Sequence, residues 1–332
     1  MSDARILTEA LRDPATVAKL DSDGWTALLA IARAEQLIGT LAHRLGGLPM
    51  PAAAARIFDD ARASAEQGRL AALWEAEMAR RALAGMGIPM ILLKGTAYAA
   101  AGLAAAVGRS IGDLDILVPY ARLEEVEAAL LGAGWEWVKP DPYDDLYYRR
   151  WMHELPPLIH RERDRMIDVH HTILPRTARI TPDPDALIAD GVALENGMYV
   201  LAPADMICHA AAHLFADGDL AGGLRNLWDV HCLAEELGTA GLAARAAHHG
   251  LEAAADRALR LADQLYGAQP GTGRPLQGVD GWYLRRLLAR DIWGRPTRRL
   301  TRLGFYMRGH WLRMPPMMLA RHLFTKWRKG ES

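Results

Sequence analysis

The feature that most constrains the fold of this chain is a series of short apolar runs set between alanine- and leucine-rich stretches. Four runs have the length and composition of strands: Ile88–Leu93 (IPMILL), Asp113–Val118 (DLDILV), Trp135–Val138 and Met166–His170 (MIDVH). The segments between them carry large apolar residues at helical spacing. Strands interleaved with helices predict an α/β (α+β) core with a small mixed sheet, spanning roughly residues 88–172.

Helical spacing returns on both sides of this core. Pro51 suits the first turn of a long helix, which Gly85 and Gly87 would end. The patterns therefore divide the chain into four regions. These are a helical N-terminal region (1–86), the mixed-sheet core (87–175), a helical domain (176–280) and a basic, aromatic-rich helical C-terminal segment (281–332).

Composition limits the class of protein. Hydrophobic residues make up 51% of the chain, which is enough for a large buried core. The two cysteines, Cys208 and Cys232, are too few for a disulfide framework or a cysteine zinc site. The N-terminus lacks the apolar stretch of a signal peptide, and the longest apolar runs, such as Ala99–Val107, are far too short to span a membrane. We therefore expect a cytoplasmic protein with no integral membrane segment.

Two carboxylates stand at alternate positions of the second predicted strand. Because side chains alternate between the two faces of a strand, Asp113 and Asp115 project from the same face. The two negative charges repel each other unless a cation lies between the carboxylates. Hard oxygen ligands favour Mg²⁺, which also binds substrate phosphates. Asp168, on a later predicted strand, is the best candidate for a third ligand of a two-metal site. His170 lies two residues further on and therefore on the face of Asp168.

A second group of residues suggests phosphate binding. Gly95 and Thr96 stand where a predicted strand meets a helix. Glycine there lets the backbone approach a ligand, and a helix N-terminus offers free N–H groups to a phosphate. Lys94 and Arg109 would add charge-assisted contacts.

Together these motifs resemble those of the polymerase-beta-type nucleotidyltransferase superfamily. The shared order is glycine with a small hydroxyl residue, a spacer, arginine, Asp-x-Asp, and a distant aspartate on a later strand. More narrowly, LLKGTAYAA, VGRSIGDLDILV, MIDVHHTIL and LRNLWDVHCL resemble a bacterial group described only as uncharacterised nucleotidyltransferases. This resemblance covers about residues 80–240, with a weaker likeness through the basic C-terminus.

The resemblance implies an activity and a set of ligands. Asp113, Asp115 and Asp168 would hold two Mg²⁺ ions and a nucleoside triphosphate such as ATP. The reaction would transfer a nucleoside monophosphate to an acceptor hydroxyl or similar group on a protein, peptide, RNA or small molecule. The sequence departs from the common pattern twice: Thr96 stands where many members have serine, and Gly112 stands where serine often precedes the first aspartate.

Other interpretations of these residues remain open. An Asp-x-Asp pair can be a solvated edge-strand pair, and Lys94 can be a solvated strand-end residue. His209 and His213 have the i, i+4 spacing of zinc ligands, but helix packing is the favoured interpretation because the HExxH glutamate is absent. Arg225 and Asp229 have the spacing of a helix ion pair. A non-catalytic nucleotide-binding regulatory protein on the same fold is the alternative to an enzyme.

The C-terminal segment differs in charge from the rest of the chain. Residues 281–332 carry thirteen Arg and Lys against two acids, a formal charge of +11, and the remainder of the chain therefore carries −12. Eight aromatic residues are interleaved with these charges. Such a segment can bind an anionic partner, either nucleic acid or an anionic surface, or it can pack on the acidic body of its own chain.

Overall fold

The predicted apolar runs form strands of one central sheet. The computed structural model describes residues 3–139, 141–216, 219–268 and 273–313. Within these ranges the strands are β1 (Ile91–Leu92), β2 (Leu114–Leu117), β3 (Trp135–Trp137), β4 (Leu158–His160), β5 (Met166–His170), β6 (Val192–Ala193) and β7 (Tyr199–Val200). They form one mixed sheet in the order β3-β4-β5-β2-β1-β7-β6.

Strand β2 lies in the middle of this sheet, and all four of its residues are buried. Strand β5 runs parallel to β2 on one side, and β1 runs antiparallel on the other. The mixed α/β fold predicted from the sequence is therefore confirmed. The strand is shorter than predicted: it begins at Leu114, so Asp113 precedes it and is exposed.

Two strands lie in the region that the sequence analysis assigned to a helical domain. Strand β7 pairs in parallel with β1, placing Tyr199 beside Ile91 and Val200 beside Leu92. Strand β6 adds an antiparallel pair at the edge. The sheet therefore extends beyond residue 175, and residues 176–280 are not wholly helical.

Helices cover the sheet and form most of the remaining described chain. Their bounds are α1 (Arg5–Arg12), α2 (Ser22–Ala34), α3 (Ile38–Arg44), α4 (Ala52–Leu83), α5 (Lys94–Ala100), α6 (Leu123–Gly132), α7 (Pro142–Trp151), α8 (Pro184–Ala189), α9 (Pro203–Ala216), α10 (Gly223–Leu237), α11 (Leu242–His248), α12 (Glu252–Tyr266), α13 (Asp280–Leu287) and α14 (Arg299–Arg313). Within the described ranges, none of these helices has the length and apolar character needed to cross a membrane.

The long helix predicted in the N-terminal region is α4, with 32 residues. Pro51 immediately precedes its first residue, and the fixed φ of proline suits that position. Gly87 follows with a left-handed φ of 65°, which glycine adopts without a steric penalty. The buried face of α4 is mainly alanine with Phe58, so neighbouring elements approach it closely.

The N-terminal helices touch the core through two glycines. Gly39 lies in α3, and Gly108, with φ of 66°, lies in the loop before β2. A Cβ built on either glycine would overlap the backbone of the other. Beside them the Thr40 hydroxyl donates a hydrogen bond to the Val107 carbonyl at 3.0 Å. The two backbones therefore pack in direct contact.

The described part of the basic C-terminal segment packs on the body of the chain. Arg286 pairs with Asp219 at 3.2 Å, and Arg290 pairs with Glu35 at 2.6 Å. Both guanidinium groups are largely buried. Residues 281–313 thus meet acidic residues of their own chain, whereas residues 314–332 lie outside the described part of the structure.

Candidate active site

Three aspartates meet near the beginning of strands β2 and β5. Asp115 and Asp168 are directly paired in the parallel register, so their side chains leave the same face of the sheet. Asp113 lies two residues before Asp115. One carboxylate oxygen from each of the three lies within 4.8 Å of the others. We refer to Asp113, Asp115 and Asp168 as the carboxylate triad.

Asp115 is the buried member of the triad, with a residue exposure of 3%. Its Oδ1 accepts hydrogen bonds from Lys94 Nζ at 2.6 Å and from His170 Nε2 at 3.0 Å. Burial acts to raise the pKa of Asp115, but the Lys94 ammonium and the His170 imidazole outweigh burial and hold that pKa well below its usual value. Asp115 is therefore a carboxylate anion inside the protein.

Lys94 reaches Asp115 from the first residue of α5. Its φ of 49° lies in the left-handed region, which a non-glycine residue adopts at a cost of about 1 kcal/mol or more. Burial lowers the pKa of Lys94, but the Asp115 charge overrides it and raises that pKa above its ordinary value. A strained backbone that places a charged ammonium on a buried carboxylate is typical of a functional site.

Asp168 has a different electrostatic environment. Burial, followed by the negative charges of Glu154 and Asp115, raises its pKa to about 7. Burial is the larger cause of this shift, and the nearby carboxylates add negative charge that a divalent cation would neutralise. The donor set is oxygen only, as Mg²⁺ prefers. The residues present therefore fit a magnesium site.

A second cluster of ligand-type side chains lies against the triad. His153, Glu154 and His170 each offer one ligand atom within 4.8 Å of the others, and we call them the histidine–glutamate group. Glu154 pairs with His170 through an isolated antiparallel bridge, which brings the group together. His170 joins it to the triad through Asp115. The sequence analysis proposed His170 but missed His153 and Glu154, which lie in an aromatic segment without clear periodicity.

The residues proposed for phosphate binding lie in the first turn of α5, with Arg109 packed against that turn. Gly95 and Thr96 are buried, and no hydrogen-bond partner for Thr96 Oγ1 lies in the described part of the chain. A Cβ on Gly95 would come within 2.5 Å of Arg109 Nε. The Arg109 guanidinium donates to Asp229 through Nη1 and lies 5.7 Å from the Tyr98 ring centroid. Glycine is therefore required at position 95 by the arginine packed on it.

Arg225 and Asp229 form the predicted i, i+4 ion pair on α10, at 2.8 Å, and both side chains are about 4% exposed. Arg225 also donates to Thr40 Oγ1 and to the Ala105 carbonyl. Asp229 is therefore shared between two guanidinium groups, those of Arg225 and Arg109. This network joins α10 to the loop before β2 and to α3.

His209 is buried near the site, on α9. Burial, followed by the Lys94 charge, lowers its pKa well below the ordinary value, so the imidazole is neutral. Within the described ranges, the only three-residue sets with metal-ligand proximity are the triad and the histidine–glutamate group, which contain neither His209 nor His213.

A mixed sheet with Asp115 and Asp168 on neighbouring strands, and Asp113 immediately before β2, is the arrangement that the resemblance to nucleotidyltransferases implied. The chain matches the family described as "Uncharacterised nucleotidyltransferase" over residues 21–267, and it belongs to that family. The match includes most of the N-terminal helices and ends before the basic C-terminal segment. No curated protein and no solved structure matches the chain.

Proposed function

We propose that this enzyme transfers a nucleoside monophosphate from a nucleoside triphosphate to an acceptor, with two Mg²⁺ ions held by the carboxylate triad. The observation that carries the proposal is the register pairing of Asp115 with Asp168, which gathers them with Asp113 within 4.8 Å. Family membership supports the class of reaction. When bound, the ions would supply charge neutralisation at the transferring phosphoryl group.

Each member of the triad has its own proposed part. Asp113 is exposed and Asp115 is buried. Together they would bind the metal ion of the nucleotide at the protein surface, with Asp113 on the solvent side and Asp115 on the core side. Asp168 would act on the acceptor side, where it orients or deprotonates the attacking group. The position of Asp168, on the strand next to Asp115 and beside Glu154, supports this part.

The triphosphate would be bound by α5 and its surroundings. Lys94 is 24% exposed at its side chain, so its ammonium can turn from Asp115 toward phosphate oxygens. Gly95 and Thr96 would lie beneath the phosphates. Asp229 engages Nη1 of Arg109, and we propose that another guanidinium nitrogen contacts the leaving pyrophosphate.

A cavity of about 370 Å³ beside the site is the proposed entrance for the acceptor. Glu154 lines this cavity and also belongs to the group that touches Asp115 through His170. The remaining lining is mainly polar and includes Tyr120, Glu124, Glu125, Arg149 and His171. An acceptor held there would approach the triad from the Asp168 side.

The test is incubation of the full chain with each labelled nucleoside triphosphate and Mg²⁺, followed by intact mass of the protein and of candidate acceptors. We expect a mass increase of one nucleoside monophosphate on an acceptor, and its loss in Asp115→Asn. Glu136→Gln is the matched control, because Glu136 is an exposed carboxylate on β3 of the same sheet. Transfer that persists in Asp115→Asn would overturn the proposal.

A further inference from the structure

The histidine–glutamate group has a chemistry that differs from that of the triad. Two imidazoles and one carboxylate form a mixed nitrogen–oxygen set, whereas Mg²⁺ prefers oxygen ligands alone. We propose that His153, Glu154 and His170 bind a divalent transition-metal ion, Zn²⁺ by their ligand chemistry, at a position distinct from the magnesium positions. The inference deepens the proposed function. It rests on that function in one respect, because it places this ion beside a triad that we propose to be catalytic.

The distances between the ligand atoms suit one ion. Glu154 Oε2 lies 3.5 Å from His153 Nε2 and 3.5 Å from His170 Nε2. Ligands bound to zinc at about 2.0–2.2 Å in tetrahedral geometry are separated from one another by roughly 3.3–3.5 Å. The two imidazole nitrogens therefore already lie at coordination spacing from a shared carboxylate oxygen.

Hydrogen bonds within the described part of the chain use at most one nitrogen of each imidazole. The Nδ1 atoms of His153 and His170 are both buried, and neither has a hydrogen-bond partner in the described part of the chain. In this structure Asp115 Oδ1 accepts a hydrogen bond from His170 Nε2, and this contact holds the proton of that ring on Nε2. With the proton on Nδ1 instead, each Nε2 presents its lone pair toward Glu154, which is the form that a metal requires.

The local charge also favours a cation. Glu154 is 18% exposed at its side chain, and within the described part of the chain its ion-pair contacts are with the two imidazoles. In the neighbouring triad, Asp115 is already ion-paired with the ammonium group of Lys94. A cation at the histidine–glutamate group would neutralise Glu154 without drawing Lys94 away from Asp115.

Binding at this group would affect the triad through His170. In this structure His170 Nε2 lies 3.0 Å from Asp115 Oδ1. When Nε2 coordinates an ion, its proton moves to Nδ1, no net proton is released, and the hydrogen bond to Asp115 is lost. Outer hydrogen bonds usually strengthen metal binding by histidine about 10- to 100-fold, and the described residues provide none to either Nδ1 atom, so we expect an exchangeable ion.

The experiment measures metal binding directly on the full chain after chelator treatment. Calorimetry with Zn²⁺ and separately with Mg²⁺ gives the two affinities, and pulsed EPR with Mn²⁺ as a probe detects nitrogen ligands. We expect Zn²⁺ to bind at least about tenfold more tightly than Mg²⁺, and the Mn²⁺ spectrum to show imidazole nitrogen coupling.

Two variants and one control identify the site. His153→Ala and the conservative Glu154→Gln should each weaken Zn²⁺ binding by at least about tenfold, and His153→Ala should weaken the nitrogen coupling. His153→Ala should leave Mg²⁺ affinity unchanged, whereas Glu154→Gln also removes a negative charge that acts on Asp168, so the Mg²⁺ comparison is made with His153→Ala. His43→Ala, at an exposed histidine on α3, should change nothing. Circular dichroism verifies that each variant is folded.

The outcomes separate this inference from the proposed function. Zn²⁺ binding that is unaffected by both variants, or absent nitrogen coupling, overturns the inference while leaving magnesium-dependent transfer intact. Nitrogen-coordinated binding in a chain that transfers no nucleotide supports the metal site and overturns the proposed function instead.

Discussion

Asp115 and Asp168 lie directly opposite each other on neighbouring parallel strands, although 53 positions separate them in the sequence. They differ in charge state at neutral pH. Lys94 and His170 hold Asp115 as an anion, whereas burial and nearby carboxylates raise the pKa of Asp168 to about 7. Two paired carboxylates with unlike pKa values can have unlike roles, and the next two predictions test this.

Asp168→Ala should harm chemistry more than nucleotide binding, because Asp168 is proposed to act on the attacking side. We expect affinity for magnesium triphosphate to stay within about tenfold of wild type. The single-turnover transfer rate should fall by at least about a hundredfold. His170→Ala should reduce the rate less if the imidazole only orients substrate. An unchanged rate in Asp168→Ala would move the third carboxylate elsewhere, with Asp164 the nearest substitute.

The stability of chelator-treated protein should depend on pH through Asp168. Its folded pKa is about 7, against an unfolded value of about 3.9. Between these values the folded state holds a proton that the unfolded state has lost, so the free energy of unfolding falls as pH rises from about 4 to 7. Asp168→Asn removes this contribution to the pH dependence. As the pH rises from 5 to 8, the free energy of unfolding of the variant should therefore rise by at least about 1 kcal/mol relative to that of wild type.

Chemical denaturation at the two pH values measures this gain. Asp164→Asn is the control, because Asp164 is an exposed carboxylate in the turn just before β5. Equal pH dependence in wild type and Asp168→Asn would contradict the raised pKa.

Lys94→Ala should destabilise chelator-treated protein, because it leaves the buried Asp115 carboxylate with His170 as its remaining partner. Removing one member of a buried pair costs about 3–5 kcal/mol, and we expect the lower part of that range because Lys94 is 24% exposed at its side chain. Mg²⁺ should restore more stability to the variant than to wild type, and triphosphate binding should weaken while metal binding is retained. Thermal denaturation measures the stability, with Lys19→Ala as an exposed lysine control. If triphosphate affinity is unchanged, Lys94 does not contact phosphate.

Asp229→Asn should destabilise the protein by about 3 kcal/mol. The reason is that the guanidinium groups of Arg225 and Arg109 would both lose the buried carboxylate that balances their charge. Denaturant titration gives the free energy of unfolding. Asp256→Asn, at an exposed aspartate of α12, should stay within about 0.5 kcal/mol of wild type. Similar values for the two variants would show that the network contributes little to stability.

Asp219→Asn tests how the basic C-terminal segment is held. Asp219 pairs with Arg286, whose side chain is 2% exposed, and with Arg302, whose side chain is 54% exposed. We expect a loss of about 2 kcal/mol, because the Arg286 charge would remain buried without its partner. Arg302→Ala removes the solvated partner of the same carboxylate and should cost less than about 1 kcal/mol. Equal melting temperatures for Asp219→Asn and wild type would mean that this ion pair does not anchor the segment.

The sequence predicted the central strands because a buried strand requires a short run of apolar residues, which is visible locally. Strand β2 is buried at every residue and lies within the predicted DLDILV run. Strand β5 lies within MIDVH, and the alternation that placed Asp168 and His170 on one face is observed. Strands β6 and β7 have two residues each, so no periodicity can arise, and they are defined by pairing alone: β7 pairs with β1, and β6 pairs with β7.

The parts of the candidate site that were missed depend on contacts between distant residues. Glu154 reaches the site because a single bridge pairs it with His170, and nothing in the surrounding aromatic segment encodes that bridge. The ion pair of Arg109 with Asp229 was also not predicted, because Asp229 lies 120 residues later. A buried ion pair of this kind is specified by the packing of α10 on the core, which the local sequence does not reveal.

The contact between Gly39 and Gly108 bears on how the chain can be divided. The sequence analysis assigned residues 1–86 to a separate helical region, but their loss would expose the backbone at Gly108 and deprive the Val107 carbonyl of the Thr40 hydroxyl. The loop that contains Gly108 leads directly through Arg109 to the first aspartate of the triad. A catalytic fragment starting at residue 87 would therefore lose the surface that shapes this loop. The smallest active unit should begin before α3.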